Sequence, residues 1–306
     1  MIILGSGYIG LALAQYALAA GEPVSALTRN VVRAGELRAL GVTVVVADLA
    51  GSDWHGALNP AGADIVNCVS PSSPGVEGYR HSFLAGHASI RSWMVKSLAR
   101  DGRPVRSAAF TSSTAVYPQT DGNWVDENTP VQLSALGPGG AVLREAEEQW
   151  LALSPHLARR TWILRLAGIY GPGRHHLLDA LLTGEKSFPG GGSHWVNLIY
   201  RDDAVAAIQA CITARPEISG GIFNAADNEP VRKDELVRWI AQRLGQDPAA
   251  LTFDSNQNAR TVHRRTASGV IPDRKISSAH LQKALGWRPL CHSYQAGYET
   301  ILNSRR

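Results

Sequence analysis

The 306-residue sequence has few cysteines, no long apolar run and no concentration of basic charge, and each absence excludes a class of protein. Its three cysteines, Cys68, Cys211 and Cys291, are far apart and show no metal-like spacing. Cys68 and Cys211 lie in apolar runs and read as small buried hydrophobes, so a reducing cytoplasmic compartment is expected. No apolar segment approaches the ~18 residues that span a bilayer, so no membrane partner is expected. The sequence starts on a strand-like run with no charged leader, and a secretory signal is not expected either. Charged residues make up 18% with a formal net charge of +4, and the pairs Arg159-Arg160, Arg264-Arg265 and Arg305-Arg306 are scattered. Without a basic stripe, nucleic acid is not an expected partner. There is no internal repeat, low-complexity tract or coiled-coil heptad.

What the sequence does contain is an alternation of two periodicities. "MIIL", Val24–Leu27, Val42–Ala47, Asp64–Val69, Val105–Ser113 and Thr161–Tyr170 read as strands, and the β-branched third of these reads as buried. Between them, helical patterns cover Tyr8–Ala20, Val31–Leu40, about 76–100 and Ala141–Leu153. Parallel neighbours require crossover helices, so the fold class is α/β with a doubly wound parallel sheet. The second half is less regular. Phe188–Trp195 reads as a Gly-rich loop or hairpin, Arg201–Ile212 as a helix with acids in its first turn, Gly221–Asp227 as a strand and Val231–Leu244 as a helix. Residues 246–275 are polar and unassigned, and Leu281–Trp287 is a helix stopped at "LGW" before Pro289.

"ILGSGYIG" places Gly5, Gly7 and Gly10 in G-x-G-x-x-G spacing between a strand and a helix. Gly5 permits the tight turn, Gly7 lets a pyrophosphate approach the backbone, and Gly10 lets helix and sheet pack closely. The helix that begins with Tyr8 and Ile9 turns free N–H groups and a partial positive charge toward those phosphates. The second strand ends in "LTRN", so Thr28 and Arg29, with Arg33 a turn later, stand where an acid would favour NAD. A hydroxyl and a guanidinium suit a 2′-phosphate, so NADP is preferred, with NAD as the other possibility. Asp48, followed by Leu49, ends the third strand as an adenine contact or as a cap for the next helix. Val69 and Ser70, at the end of the fourth strand, complete the expected cofactor set; the loop that follows, ahead of Tyr79 and Arg80, borders the nicotinamide, and Ser70 and Ser72 bond ligand there or satisfy a Pro-rich turn.

Further motifs follow in order: "FTSSTAVY", "WVDENTP", "LRLAGIYGPGR", "LIYRDDAVAAI", "GIFNAADNEPV" and "LGWRP". Together with the glycine turn they resemble the extended short-chain dehydrogenases/reductases, the NAD(P)-dependent epimerase/dehydratase group. The resemblance implies a Rossmann domain with a smaller interleaved C-terminal substrate lobe. Residues 1–170 would form the first, with 196–226 returning to it, and 171–195 and 227–306 mainly the second. It implies a tyrosine proton donor with a lysine four residues on, a serine that holds the substrate oxygen, and a supporting asparagine. The serine falls on Ser113. With Glu147 as anchor, the tyrosine position falls on Gly140 and the lysine position on Arg144, and the asparagine position on Ser82 or Phe83. Leu4 also stands where many extended members have glycine. These departures place the chain nearer the atypical members.

Substitutes for the missing acid are Tyr117, four residues after Ser113, and the loop Arg174, His175 and His176. There arginine suits an anionic substrate group and histidine titrates near neutrality. Arg144 would contact the nicotinamide ribose. Surface or packing roles fit these side chains equally well, as they do His194, and no metal site is expected. The expected function is an NADP(H)-binding oxidoreductase or epimerase with an atypical site. Its substrate would be a nucleotide sugar or a related small carbonyl or alcohol, and by resemblance the protein would be a homodimer. The alternative is a non-catalytic NADP(H)-binding sensor or scaffold.

Overall fold

In the computed structural model, which describes residues 1–153, 156–254 and 266–305, the chain forms two compact units. The first comprises Met1–Ser113, Ala141–Arg165 and Val205–Phe223; the second comprises Thr114–Gly140, Leu166–Ala204 and Asn224–Arg306. Residues 114–140, 166–170, 196–204 and 224–226, grouped by the sequence with the first domain, fall in the second unit.

The first unit opens with β1 (Ile2–Leu4), α1 (Tyr8–Ala19), β2 (Ser25–Thr28), α2 (Val31–Ala39), β3 (Thr43–Val46) and β4 (Asp64–Asn67). The helical run after β4 is not continuous as the periodicity predicts. It divides into α3 (Val76–Tyr79), a π-helical turn at Arg80–Ala85, and α4 (Gly86–Asp101), ahead of β5 (Ser107–Ser113). Hydrophobic period does not register one extra residue in a turn, and such turns recur at functional sites. The chain then forms β6 (Trp124–Val125) in the second unit and crosses back through α5 (Pro138–Leu151) and β7 (Thr161–Leu166). β8 (Gly168–Tyr170), α6 (His176–Leu182), β9 (Ser187–Pro189), β10 (Trp195–Val196) and β11 (Leu198–Tyr200) belong to the second unit; α7 (Arg201–Ile212) then leads to β12 (Gly220–Ala225).

The main sheet has seven parallel strands in the order β12-β7-β5-β4-β1-β2-β3. Its order reverses beside β1, and ligands of such sheets bind beyond the carboxyl ends of the strands at that reversal. β4 and β7 are buried along their whole length. β3, expected to be buried, is instead the sheet edge, with Thr43 and Val46 exposed. Its β-branched residues suit a pleated edge as well as a core, so composition alone did not fix the burial.

The second unit continues with β13 (Val231–Arg232), α8 (Lys233–Arg243), β14 (Thr252–Asp254), β15 (Lys275–Ile276), α9 (Ala279–Leu285) and α10 (Tyr294–Asn303). The segment Phe188–Trp195 is no hairpin: β9 pairs with β14 and β10 with β13, so each end takes a partner distant in sequence. Likewise Thr161–Tyr170 is two strands, because β8 leaves the main sheet to pair with β11. Val231 and Arg232 form a strand before the helix expected there begins. α9 stops with Gly286 in the left-handed region, as "LGW" predicts. Of the polar stretch 246–275, residues 255–265 lie outside the described residues, as does Arg306; Arg264 and Arg265 fall among them. Asp203, buried at the head of α7, accepts from the Leu290 and Cys291 N–H groups at 2.7 and 3.0 Å, while the Trp287 indole donates to its carbonyl. The "RDD" and "LGWRP" motifs are thereby one structural device.

Candidate dinucleotide site and the start of helix α5

Within the first unit, the ends of β1, β2, β3 and β4 surround a groove of about 200 Å³. Gly5, Gly7, Thr28, Arg29, Asp48, Leu49, Val69 and Ser70 from the expected cofactor set all line it. The three glycines differ in what a side chain would meet. A Cβ on Gly5, which has φ +88°, would stand 2.7 Å from Val69, and one on Gly10 only 2.3 Å from the Gly5 carbonyl oxygen. A Cβ on Gly7 would meet nothing within 4 Å, so this residue is exposed toward open space. No side chain caps α1, and no acid lies in its first turn, so no acidic side chain of that turn offsets the dipole's attraction for an anion.

Ser6, which the sequence reading passed over between Gly5 and Gly7, also lines the groove. It is 2% exposed, and its hydroxyl has no hydrogen-bond partner. A buried hydroxyl is normally satisfied, so one left open beside a glycine turn fits a ligand that supplies the partner. Asn67 at the end of β4 is similar: Oδ1 accepts from the Val69 N–H, while the buried Nδ2 has no partner. An open Gly7, an uncapped helix and an orphaned Ser6 together fit a bound pyrophosphate.

At the groove's rim Asp48 Oδ1 accepts from the Ala50 N–H at 2.9 Å, and Oδ2 faces His81 Nε2 at 3.0 Å and Arg29 Nη1 at 3.5 Å. Partial burial pushes the Asp48 carboxyl upward. The His81 hydrogen bond, the Ala50 N–H and the Arg29 charge outweigh this and hold it below the ordinary carboxylate range. An ionised Asp48 only accepts, so His81 carries its hydrogen on Nε2. Arg33 is paired with Glu36 along α2, and the Thr28 hydroxyl accepts from the Asn30 N–H. Arg29 is thus the more loosely held of the two arginines expected at this end. His81 has no signal in the sequence, because the wide turn that carries it is invisible there.

Gly140 and Arg144 sit one helical turn apart on α5, as their spacing requires. A Cβ on Gly140 would stand 3.0 Å from the Ala115 carbonyl oxygen and 3.2 Å from Leu136 Cδ2. A side chain at Gly140, where the sequence led us to expect the tyrosine position, would therefore need these neighbours to give by a few tenths of an ångström. Arg144 Nη1 donates to Glu147 Oε2 at 2.6 Å. Glu147, 1% exposed, also accepts from Arg165 Nε and Nη2 at 2.9 and 2.7 Å and from the Ser112 hydroxyl at 2.7 Å. Arg144 thus belongs to a largely buried ionic cluster. Ser113 is half-buried at the end of β5, in the first unit. Tyr117, in the second, is fully buried, and its hydroxyl donates to Asn224 Oδ1 at 2.9 Å.

In the second unit, Arg174 is exposed on the loop before α6, His175, at the N-cap of that helix, is 6% exposed, and His176, its first residue, is exposed. His175 Nδ1 lies 2.9 Å from Asp179 Oδ1, but outside hydrogen-bonding geometry. His194 is partly exposed, and burial with the Lys233 charge lowers its pKa below the usual imidazole range. Among the described residues no group of three or more His, Cys, Asp or Glu is placed to hold a metal ion, and no helix is long and apolar enough to cross a membrane.

The sheet order, the glycine turn and the groove beyond it define the first unit as a Rossmann fold. Residues 1–226 match the NAD dependent epimerase/dehydratase family, and the chain belongs to that family. The 3-diazoavenalumate denitrifying reductase of a Streptomyces species is 29% identical over 318 aligned residues, 95% of this chain and 96% of that protein. Protein YeeZ of Escherichia coli K12 is 30% identical over 252 residues, 80% of this chain and 84% of its own. Among solved structures, a double mutant of the dTDP-glucose 4,6-dehydratase DesIV from Streptomyces venezuelae, with NAD and DAU bound, superposes with a TM-score of 0.80. It is 18% identical, with 99% of this chain and 95% of that chain covered.

Proposed function

We propose that the protein is an NADP(H)-binding oxidoreductase or epimerase acting on a small molecule, in a reaction that takes no proton from the family's tyrosine. The observation that carries the cofactor part is the open Gly7 beside the partnerless buried Ser6 hydroxyl. In this reading Gly5, Gly7, Tyr8, Ile9 and Gly10 hold the pyrophosphate, and Thr28 and Arg29 the 2′-phosphate. Asp48 and Leu49 hold the adenine side, and Val69, Ser70 and Arg144 the nicotinamide half. When bound, the nicotinamide supplies or accepts hydride. Ser113 orients the substrate by hydrogen bonding, and Arg144, held by Glu147, presents a fixed positive charge. Neither Gly140 nor Arg144 can move a proton near neutral pH. In the second unit, Tyr117 is held by Asn224.

An acceptor that takes hydride without protonation of an oxygen suits such a site better than a ketone. The similarity to a reductase of a diazo compound supports this choice, although nucleotide sugars and small carbonyl compounds belong in the same screen. The buried Cys68 and Cys211 fit a cytoplasmic location. The second reading, an NADP(H) sensor without turnover, is favoured by the commitment of Arg144 to Glu147. Fluorescence titration with NADPH and NADH, followed by absorbance assays with aryl diazonium, carbonyl and nucleotide-sugar substrates, separates the two. NADPH binding with turnover supports the enzyme, binding without turnover across the panel supports the sensor, and failure to bind either nucleotide refutes both.

A further inference from the structure

His81 lies on the π-helical turn, 47% exposed, and is assigned no part by the glycine motif or by the family's catalytic pattern. We propose that His81 sets the cofactor preference of the groove by occupying Asp48 and so leaving Arg29 to a 2′-phosphate. The inference rests on the reading of the groove as an NADP(H) site.

Asp48 is the nearest acid to Arg29 and would otherwise neutralise it. Both carboxylate oxygens, however, have closer donors: Oδ1 takes the Ala50 N–H at 2.9 Å, and Oδ2 takes His81 at 3.0 Å. Arg29 stands off at 3.5 Å, beyond the ~2.7–2.9 Å of a charge-assisted hydrogen bond, and remains 48% exposed. A guanidinium held this loosely at the groove wall keeps donors for an incoming anion. Without His81, Oδ2 loses its closest donor and Arg29 is the next group in line. A closed Arg29–Asp48 pair then competes with the 2′-phosphate. NADH has only a hydroxyl at that place, so the competition weakens NADPH alone. His81 is in this sense a positioning residue that acts through Asp48.

The test is equilibrium binding of NADPH and NADH to the full chain, followed by nucleotide fluorescence, in His81→Ala, His81→Gln, Arg29→Ala and the His81→Ala/Asp48→Asn double variant. His81 is exposed, so these changes leave the core intact. For His81→Ala, NADPH affinity should fall roughly three- to five-fold, the scale of an exposed ion pair, with NADH unchanged. Gln, whose amide also donates, should retain the wild-type preference, and Asp48→Asn should restore it in the His81→Ala background because a neutral amide cannot recapture Arg29. An unchanged NADPH/NADH ratio in His81→Ala, with Arg29→Ala still selective, overturns the proposal. Equal losses for both nucleotides overturn it too, since they mean that His81 touches a part common to both. If Arg29→Ala weakens NADPH and NADH alike, the 2′-phosphate reading itself fails and the proposal falls with it.

Discussion

Replacing Glu147 with alanine should remove a large share of the protein's stability. Its carboxylate is 1% exposed and accepts four hydrogen bonds: two from Arg165, one from Arg144 and one from Ser112. Arg165 is itself 3% exposed. Alanine strips that buried guanidinium of its carboxylate, and removal of one member of a buried ion pair costs about 3–5 kcal/mol. The Ser112 hydroxyl loses its acceptor as well, which adds about 1 kcal/mol. A typical folded domain is stable by only about 5–15 kcal/mol, so the variant should approach the limit of folding. Urea unfolding followed by tryptophan fluorescence reads the change directly, and Trp150, 0% exposed one turn along α5, is a suitable reporter. Glu148→Ala is the control: it is exposed on the same helix and should shift stability by less than about 0.5 kcal/mol. A triple apolar replacement of Arg144, Glu147 and Arg165 should recover most of the loss, because removing every charge leaves none buried without a counter-charge. A loss below about 1 kcal/mol in Glu147→Ala would refute the view of the cluster as a buried ionic network.

Three other outcomes follow. Asp227 is 4% exposed, its Oδ2 has no partner, and burial raises its pKa well above the ordinary value. An acid whose folded pKa is raised binds its proton more tightly when folded, so stability falls as pH rises from the unfolded value through the folded one. Asp227→Asn, which keeps the acceptor for the Glu229 N–H, should therefore raise the melting temperature more at pH 8 than at pH 5; equal shifts at both would contradict the assignment. Gly10→Ala forces a Cβ to 2.3 Å from the Gly5 carbonyl oxygen and should destabilise by at least about 1–3 kcal/mol in a thermal melt; an unchanged melt would show that α1 does not pack as described. Ser113→Ala should lower turnover of any substrate found by about 100-fold while leaving the NADPH dissociation constant alone, and equal turnover would remove Ser113 from the site.

The alternation of strands and helices was legible because period 2 and period 3.6 leave distinct marks, and the glycine turn because its spacing sits between a strand and a helix. Eight residues from that reading line one groove. Long-range pairing was not legible. The departure of β8 from β7, the partners of β9 and β10, and the edge position of β3 depend on neighbours distant in sequence. Glu147 served in the sequence as an alignment anchor, and only the fold shows it clamping Arg144 and Arg165. Ser6 was hidden by its glycine neighbours, and His81 by a π-turn that hydrophobic period does not report.

The central claim is that the glycine turn of this chain holds a dinucleotide, and Gly7→Ala tests it most directly. Its Cβ would meet no protein atom within 4 Å, so the fold has nothing to lose, whereas a pyrophosphate against the backbone would collide with it. The expected result is an unfolding free energy within about 0.5 kcal/mol of the wild type and NADPH binding weakened at least about ten-fold. Undiminished NADPH binding in a stably folded Gly7→Ala protein would contradict it.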